Sequence, residues 1–526
     1  LKGWKGDRAD ARFQAVADAV RARITGDQVV HHHAPRAEPR VTRRAAIAGG
    51  VGLGAIAVAG TSGWLLLKPG AANAKRIAVL PFANLSGSAD QAYFAEGIAE
   101  ELRSALSRVG MEVIGRASSD AVKELDTKAA ADKLGVAHIL SGSVRRSPSM
   151  VRINAQLVGG KDGVERWAQS YDRAPGDEIK IQTDIATNVA QALSVALGQA
   201  GKVALTLGGT ADAAAQDLLL RGSLVLNTRS EPESRREAIT LFEAAIARDA
   251  NYAGAWLLKA SALEQLAVSG TVDMGETLAL AEAAAKRAIA IAPNLGSAYV
   301  PLAAIEADRF NYKAALQHMD RALRLAPEHK AVISNASVFM QCFGDPHKAL
   351  DLADRAIALD PLMGVSYGRR AEVLFTLKDY PQSIAANRKA LELMPQNYAL
   401  QRKIADCLVL MNRPAEAKTE YAKVPADDPF RLTGEAVMAA RARDLAGAER
   451  IIARMRQSFG DAASYQYAEI HAQGGNSDRA FAELDNAVRA KDPGLQSLKS
   501  DPFLDPILRD PRYAALLKRL NFPTWA

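Results

Sequence analysis

The chain has 526 residues, of which 48% are hydrophobic and 24% are charged, and its formal net charge is +7. This composition is ordinary for folded domains and the length suffices for several of them, so a largely disordered chain is excluded. Lysine and arginine are spread among aspartate and glutamate and form no basic block, which argues against nucleic acid as a partner.

Residues 1–25 are predicted to form the end of a larger domain. A helical spacing of apolar residues places Phe13, Val16, Val20 and Ile24 on one side of a helix. The preceding LKGWKGD, followed by this helix, resembles the end of bacterial Toll/interleukin-1 receptor (TIR) domains, which implies a remnant of an upstream signalling domain. A class III nucleotide cyclase domain and a winged-helix DNA-binding domain are the alternatives. Any catalytic residues of such a domain lie outside this chain.

A basic linker is predicted at 26–44. It contains three consecutive histidines, His31, His32 and His33. Consecutive residues in a polar linker that contains proline cannot all face one ion, so we predict no metal site there.

An uncharged run at 45–67 predicts one transmembrane helix. Its 23 residues are long enough for the bilayer core, although six of them are glycine. An export signal is the alternative, because two arginines precede the run and Ala72, Asn73 and Ala74 resemble a cleavage site. If the helix is retained, the small residues along it would let two such helices pack closely together.

The flanking charges predict the orientation of this helix. Four arginines lie within ten residues before the run, and three basic residues follow it within ten positions. The excess of basic residues before the run predicts a cytoplasmic N-terminus. The expected location is therefore the inner membrane, single-pass, with residues 68–526 periplasmic.

A small α/β domain is predicted at 75–200. RIAVLPF and MEVIGR have the pattern of buried strands, and the segment between them has helical spacing. HILSGSVRR and VRINAQLVGG alternate as a hairpin, a strand ERWAQSYDR follows, and a helix begins at EIKIQ. The segments AVLPF, YFAEGI, SGSVRR, VRINAQL and the tryptophan-containing strand resemble the amino-terminal domain of the translocation protein TolB.

An internal repeat dominates the rest of the chain. Prolines recur every 34 residues, at Pro293, Pro327, Pro361, Pro395 and Pro429. Small residues stand twelve positions before them, at Ala281, Ala315, Ala349, Ser383 and Ala417, and five positions before them, at Ala288, Ala322, Ala356, Ala390 and Val424. Small residues let two helices approach closely, and proline ends the second helix because it lacks an N–H donor.

This unit resembles the tetratricopeptide repeat, a pair of antiparallel helices that stacks into a solenoid. The resemblance implies a repeat solenoid over 212–526, closed by a C-terminal cap, with a groove lined by the first helices. The predicted fold class is thus α/β plus all-α: one transmembrane helix, a small TolB-like domain, and an α-solenoid of tetratricopeptide repeats. The two cysteines, Cys342 and Cys407, lie two repeats apart, too far for a disulfide.

The repeat phase also predicts a binding groove. Counting from the prolines, the inward positions of three units are Ser334 and Asn335, Gly368 and Arg369, and Arg402 and Lys403. Asn335, Arg369, Arg402 and Lys403 form the predicted partner-binding site. Arginine can grip both oxygens of a carboxylate, so the expected partner is an acidic or C-terminal peptide. Alternatively, Glu372 and Asp406 neutralise these cations within the chain.

The predicted function is a membrane-anchored interaction module of a bacterial signalling protein, with a protein or peptide partner and a possible homo-oligomer. The alternative is the regulatory part of an enzyme, a TIR NAD hydrolase or a class III nucleotide cyclase, whose catalytic domain lies upstream. We predict no catalytic residues, metal or cofactor in this chain.

Overall fold

A computed structural model describes residues 75–86, 91–193, 195, 199–229, 231–269 and 271–523. All of them belong to one compact unit, Gly70–Ala526. The predictions for 1–25, 26–44 and 45–67 lie outside the described residues.

A mixed sheet occupies the first part of the described chain. Its strands are β1 (Arg76–Val79), β2 (Ala83–Asn84), β3 (Glu112–Val113), β4 (His138–Arg146), β5 (Val151–Gly159) and β6 (Glu165–Arg173). The order is β3-β1-β4-β5-β6, and β2 pairs with β4. The β1–β3, β1–β4 and β2–β4 pairs are parallel, and β4, β5 and β6 are antiparallel neighbours. The predicted strands and the predicted hairpin are confirmed.

Helices cover both faces of the parallel part of this sheet. They are α1 (Ala92–Arg108), α2 (Arg116–Asp120), α3 (Thr127–Leu134), α4 (Glu178–Ala192) and α5 (Gln199–Leu205). Apolar residues of α1 and α4 pack on one face, together with alternate residues of β5. Residues of α3 pack on the other face, against Ala78, Ile114 and Ile139. This arrangement gives each buried strand an apolar partner on both sides.

The remaining helices form eight consecutive antiparallel pairs among the described residues. They are α6 (Ala213–Thr228), α7 (Pro232–Arg248), α8 (Ala253–Ala267), α9 (Met274–Ile291), α10 (Tyr299–Asp308), α11 (Tyr312–Leu325), α12 (Lys330–Phe343), α13 (Pro346–Leu359), α14 (Gly364–Thr376), α15 (Tyr380–Leu393), α16 (Tyr398–Leu410), α17 (Pro414–Tyr421), α18 (Pro429–Arg441), α19 (Leu445–Phe459), α20 (Ser464–Gln473) and α21 (Ser477–Ala490). A last helix, α22 (Pro511–Arg519), follows two short 3₁₀ turns, Pro493–Ser497 and Pro502–Ile507.

Small residues at the predicted positions are where the helices meet. Ala281, Ala315, Ala349, Ser383 and Ala417 have no exposed surface. The second set is also buried, at 3% exposure or less: Ala288, Ala322, Ala356, Ala390 and Val424. The packing role predicted from their spacing is confirmed.

Four of the five periodic prolines end a helix pair as predicted. In each case the proline lies two residues beyond the last helical residue, as Pro327 does after Leu325. Pro429 differs, because it is the first residue of α18. Helix α17 has only eight residues and ends at Tyr421. The first turn of a helix accepts proline because the N–H at that position has no intrahelical partner.

The predicted transmembrane fold and location are corrected. No helix among the described residues is long and apolar enough to cross a bilayer. The longest of them, Met274–Ile291, has 18 residues and carries four charged side chains, whereas a spanning helix needs about 20 mostly apolar residues. Within the part of the chain that the structure describes, the predicted single transmembrane helix and the single-pass inner-membrane location with residues 68–526 periplasmic are therefore not supported. The described chain is a mostly helical solenoid with a small sheet region.

The sheet-bearing part contacts the helix pairs first through α1 and α6. Gly97 makes this approach possible, because a Cβ there would lie 2.6 Å from the Leu220 side chain. Beside it, the Tyr93 hydroxyl donates to Asp217 at 2.6 Å, and Arg146 donates to the same carboxylate at 2.9 Å. One apolar core continues across this contact.

A second contact lies at the buried carboxylate of Asp360, after α13. Asp360 has no exposed surface. Its Oδ1 accepts from the Ser118 backbone N–H at 2.9 Å and from the Ser118 hydroxyl, and its Oδ2 lies 2.7 Å from Lys330 Nζ. The Gly115 N–H donates to the Leu359 carbonyl at 2.7 Å. The start of α2 is therefore fixed to the solenoid.

We predict that Ala322→Trp destabilises the chain by about 1–3 kcal/mol or more, because the larger side chain overpacks the contact between paired helices. Gln317→Trp on the exposed side of the same helix is the matched control. Thermal melting of both variants measures the effect. Equal melting temperatures for Ala322→Trp and wild type would show that the repeat phase is misassigned.

We predict that Asp360→Ala lowers the free energy of unfolding by about 3–5 kcal/mol, because Lys330 and the Ser118 N–H lose their buried acceptor. Asp354→Ala removes a half-exposed carboxylate that pairs with Arg370, and should cost about 1 kcal/mol or less. Urea unfolding monitored by circular dichroism compares them. Similar losses for the two variants would contradict the anchoring role of Asp360.

Candidate functional site

A cleft of about 760 Å³ lies between the sheet-bearing part and the first helix pairs. One wall is α1, and the residues 204–210 lie beside it. The other walls come from α6, α8, the connection between α9 and α10, and the connection between α11 and α12. The cleft therefore depends on how the sheet-bearing part is fixed to the solenoid.

Carboxylates dominate the α1 wall. Glu96 pairs with Arg116 at 2.7 Å, and Glu100 pairs with Arg103 at 2.8 Å. Glu101 differs from both, since it makes no hydrogen bond or ion pair with any residue that the structure describes. Burial raises the pKa of Glu101, and the neighbouring Arg108 opposes that shift.

Arg108 does not neutralise this wall by a direct ion pair. Its guanidinium donates to the carbonyls of Ala204 and Leu205, each at 2.8 Å. Burial lowers the pKa of Arg108, and Glu101 and Tyr252 oppose the shift. Arg108 thus fixes the backbone at Ala204 and Leu205, while Glu101 lines the cleft without a direct ion pair to Arg108.

The opposite wall contains a histidine whose Nδ1 is buried. His329 is placed there by the turn between α11 and α12, and its Nδ1 has no hydrogen-bond partner among the described residues. Burial lowers the pKa of His329, and the nearby Arg108 lowers it further, which favours the neutral imidazole. Asn335 lies on the same wall and its amide donates to the Ala331 carbonyl at 2.8 Å.

The cleft is therefore suited to a ligand that donates hydrogen bonds. A carboxylate without an ion-pair partner in a partly buried wall attracts an ammonium or guanidinium group. Leu257, Leu258 and Val300 are partly exposed and contribute apolar surface to the same space. Among the described residues, no cluster of three or more potential metal ligands is present.

The structure does not bring the four predicted groove residues together in this cleft. Only Asn335 lines it. Arg369 donates to the Ser334 carbonyl at 3.0 Å, and burial lowers its pKa. The Arg402 guanidinium lies over the Phe430 ring, 4.3 Å from the centroid.

Lys403 is engaged inside the chain, as the alternative interpretation anticipated. Its Nζ lies 3.2 Å from Glu372 and 3.8 Å from Asp406, and 4.1 Å from the centroid of the Phe375 ring. Burial by itself lowers the pKa of Lys403, but the two carboxylates outweigh it and the pKa is raised. Lys403 is therefore a charged residue with partners already in place.

Sequence reasoning missed Glu101, Arg108 and His329. Glu101 lies in an ordinary amphipathic helix of the sheet-bearing part, and His329 follows one of the periodic prolines. No spacing in the sequence joins residues that are more than 200 positions apart. The spacing of the prolines could have indicated His329, because each periodic proline marks the turn before the first helix of the next pair, and His329 lies in such a turn.

A protein-family comparison agrees with the repeat architecture in part of the chain. Residues 374–440 match the family model described as tetratricopeptide repeat. A thermophilic tetratricopeptide-repeat protein of Thermus thermophilus is 20% identical, with a TM-score of 0.32, covering 37% of this chain and 100% of that chain. The helix pairs are thus repeats of the tetratricopeptide type.

Two curated relatives match parts of the chain. Putative adenylate cyclase 3 of Rhizobium meliloti (strain 1021) is 41% identical over 166 residues, which are 30% of this chain and 28% of that protein. The Hsp70-Hsp90 organizing protein of Triticum aestivum is 28% identical over 102 residues, 19% of this chain and 18% of that protein. The matched part thus spans less than a third of either relative.

Proposed function

We propose that this chain is the interaction module of a bacterial signalling protein, and that its cleft binds an extended peptide segment with a basic side chain. The observation that carries the proposal is the unpaired carboxylate of Glu101 inside a cleft between two parts of one chain. A lysine or arginine of the partner supplies the missing charge. Its backbone N–H groups can donate to the Asn335 side chain, which lines the same cleft.

The size of the cleft suits this ligand. Binding pockets of small ligands occupy about 300–1,000 Å³, so a volume of about 760 Å³ accommodates a few residues of a peptide. The mixed lining supports the same conclusion, because apolar contact gives affinity while a few fixed polar groups set orientation. This proposal reverses the charge preference expected from the predicted groove, since that groove was expected to hold an acidic peptide.

We predict that the chain retains nine-residue peptides with a central lysine at least tenfold more strongly than peptides with a central glutamate. Tenfold corresponds to about 1.4 kcal/mol, a modest requirement for one partly buried charge pair. Two labelled libraries, degenerate at the other eight positions, are compared by fluorescence anisotropy.

Glu101→Gln should remove this preference while keeping the wild-type melting temperature. Glu233→Gln, which removes an exposed carboxylate outside the cleft, should leave the preference unchanged. If Glu101→Gln binds the lysine library as wild type does, the cleft is not the peptide site.

A second proposal follows from the relative named as a putative adenylate cyclase: the chain is the regulatory part of a longer nucleotide cyclase. The 41% identity over 166 residues supports it. A TIR NAD hydrolase remains the alternative identity of the catalytic domain, as residues 1–25 suggested. The TolB-like assignment of 75–200, the repeat range 212–526 and the homo-oligomer stay predictions alongside it.

We predict that the complete gene product converts ATP to cyclic AMP. Glu101→Gln should change the rate of this reaction at least twofold, because partner binding in the cleft alters the activity of the catalytic domain. Cyclic AMP and NAD are measured in the same preparation, with Glu233→Gln as the control. Consumption of NAD without cyclic AMP supports the TIR alternative. Formation of neither product contradicts both enzyme assignments.

A further inference from the structure

The C-terminal segment, residues 493–523, does more than cover the last helix pair. Six of its hydrophobic residues are buried to 5% exposure or less, and they are Leu495, Leu498, Phe503, Leu504, Ile507 and Leu520. A terminal cap contacts only the pair that it follows. This segment instead touches the first helices of four different pairs.

Hydrogen bonds from these first helices reach the segment at several points. The Thr376 hydroxyl in α14 donates to the Ser500 carbonyl at 2.9 Å, and Gln473 in α20 donates to the Phe503 carbonyl at 2.7 Å. Gln496 donates to Asp308, the last residue of α10, at 3.4 Å. The first helices that line a solenoid's inner face therefore hold the backbone of the segment as a groove holds a peptide.

Aromatic side chains fix the segment at two places. Phe503 contacts Phe375 of α14, with 6.1 Å between ring centroids. Phe522 contacts Tyr312 at 4.3 Å and Phe343 of α12 at 6.1 Å between centroids. Such contacts of aromatic side chains in pockets dominate the energetics of peptide interfaces.

Charges on the same surface match the acidic residues of the segment. Lys378 Nζ lies 2.7 Å from Asp505 Oδ2. The Tyr465 hydroxyl donates to Asp501 at 3.1 Å. Beside it, burial raises the pKa of Glu469 and Asp501 adds to this shift, which favours a protonated Glu469 next to the Asp501 carboxylate. Lys403 lies close enough to lower the pKa of Asp501.

We propose that the inner face of the later repeats is a second peptide-binding site, and that the C-terminal segment is its resident, displaceable occupant. The partner that replaces it carries the same chemistry: an acidic residue, proline, an aromatic residue and a second acidic residue, as in Asp501 to Asp505. In this site, Tyr465 and Lys378 each bind one carboxylate, and Phe375 contacts the aromatic ring. This inference is independent of the cleft, whose lining includes none of these residues.

The test inserts the recognition sequence of a site-specific protease after Lys491, the exposed residue at which the helix has ended. The chain folds first and is then cut, so the segment can leave without a covalent tether. A fluorescein-labelled peptide of residues 493–523 is added to cut and uncut protein. We expect the cut protein to bind this peptide at least tenfold more tightly than the uncut protein, because the tethered segment no longer competes.

Matched peptides show whether recognition is specific. A peptide with Phe503→Ala and Asp505→Ala should bind at least tenfold more weakly, because it lacks the contacts with Phe375 and Lys378. A peptide with Arg509→Ala changes an exposed residue and should bind like the original. Glu101→Gln in the cut protein should have no effect, which separates this site from the cleft.

Three results would overturn the proposal. The released piece fails to exchange with excess peptide over several days, the cut protein loses its helical circular dichroism, or the doubly substituted peptide binds as well as the original. Each result shows that the segment is a structural part of the solenoid and not a ligand of it.

Discussion

The buried carboxylate of Asp360 is the interaction on which the described architecture depends. It joins three elements: the start of α2, the first residue of α12 and the turn after α13. A buried carboxylate is stable only when its partners are complete, so this contact tolerates little movement of either part. Together with the close approach of Gly97 to Leu220, it sets where the sheet-bearing part lies on the solenoid.

The binding surfaces follow from that placement. Because α1 faces the first repeats, its carboxylates become a wall of the cleft and are not simply a solvated helix face. Against the first helices of later repeats, the C-terminal segment packs instead. One solenoid thus presents an acidic surface at one end and a lysine-containing surface near the other, which suits two partners of opposite charge.

The helices of each repeat and the contacts within a pair were predictable from the sequence, whereas the contacts between distant parts of the chain were not. Proline spacing and small residues such as Ala322 define each helix pair because both act within one 34-residue unit. The contact between Ser118 and Asp360 joins residues 242 positions apart, and Asp360 looks like an ordinary turn residue before Pro361. Of the predicted groove residues, Asn335 lines the cleft, whereas Lys403 is neutralised by Glu372 and Asp406. The repeat phase predicts which side of a helix a residue lies on, but it does not predict which residues of other helices it contacts.

Hydrogen–deuterium exchange of the whole chain with a saturating lysine-centred peptide tests the central claim most directly. Binding in the cleft predicts slower amide exchange in α1 and in residues 325–335, where the two walls meet the ligand. Residues 493–507 should exchange as they do without peptide. Slower exchange confined to 493–507, or no change in α1, would contradict the assignment of the cleft as the peptide site.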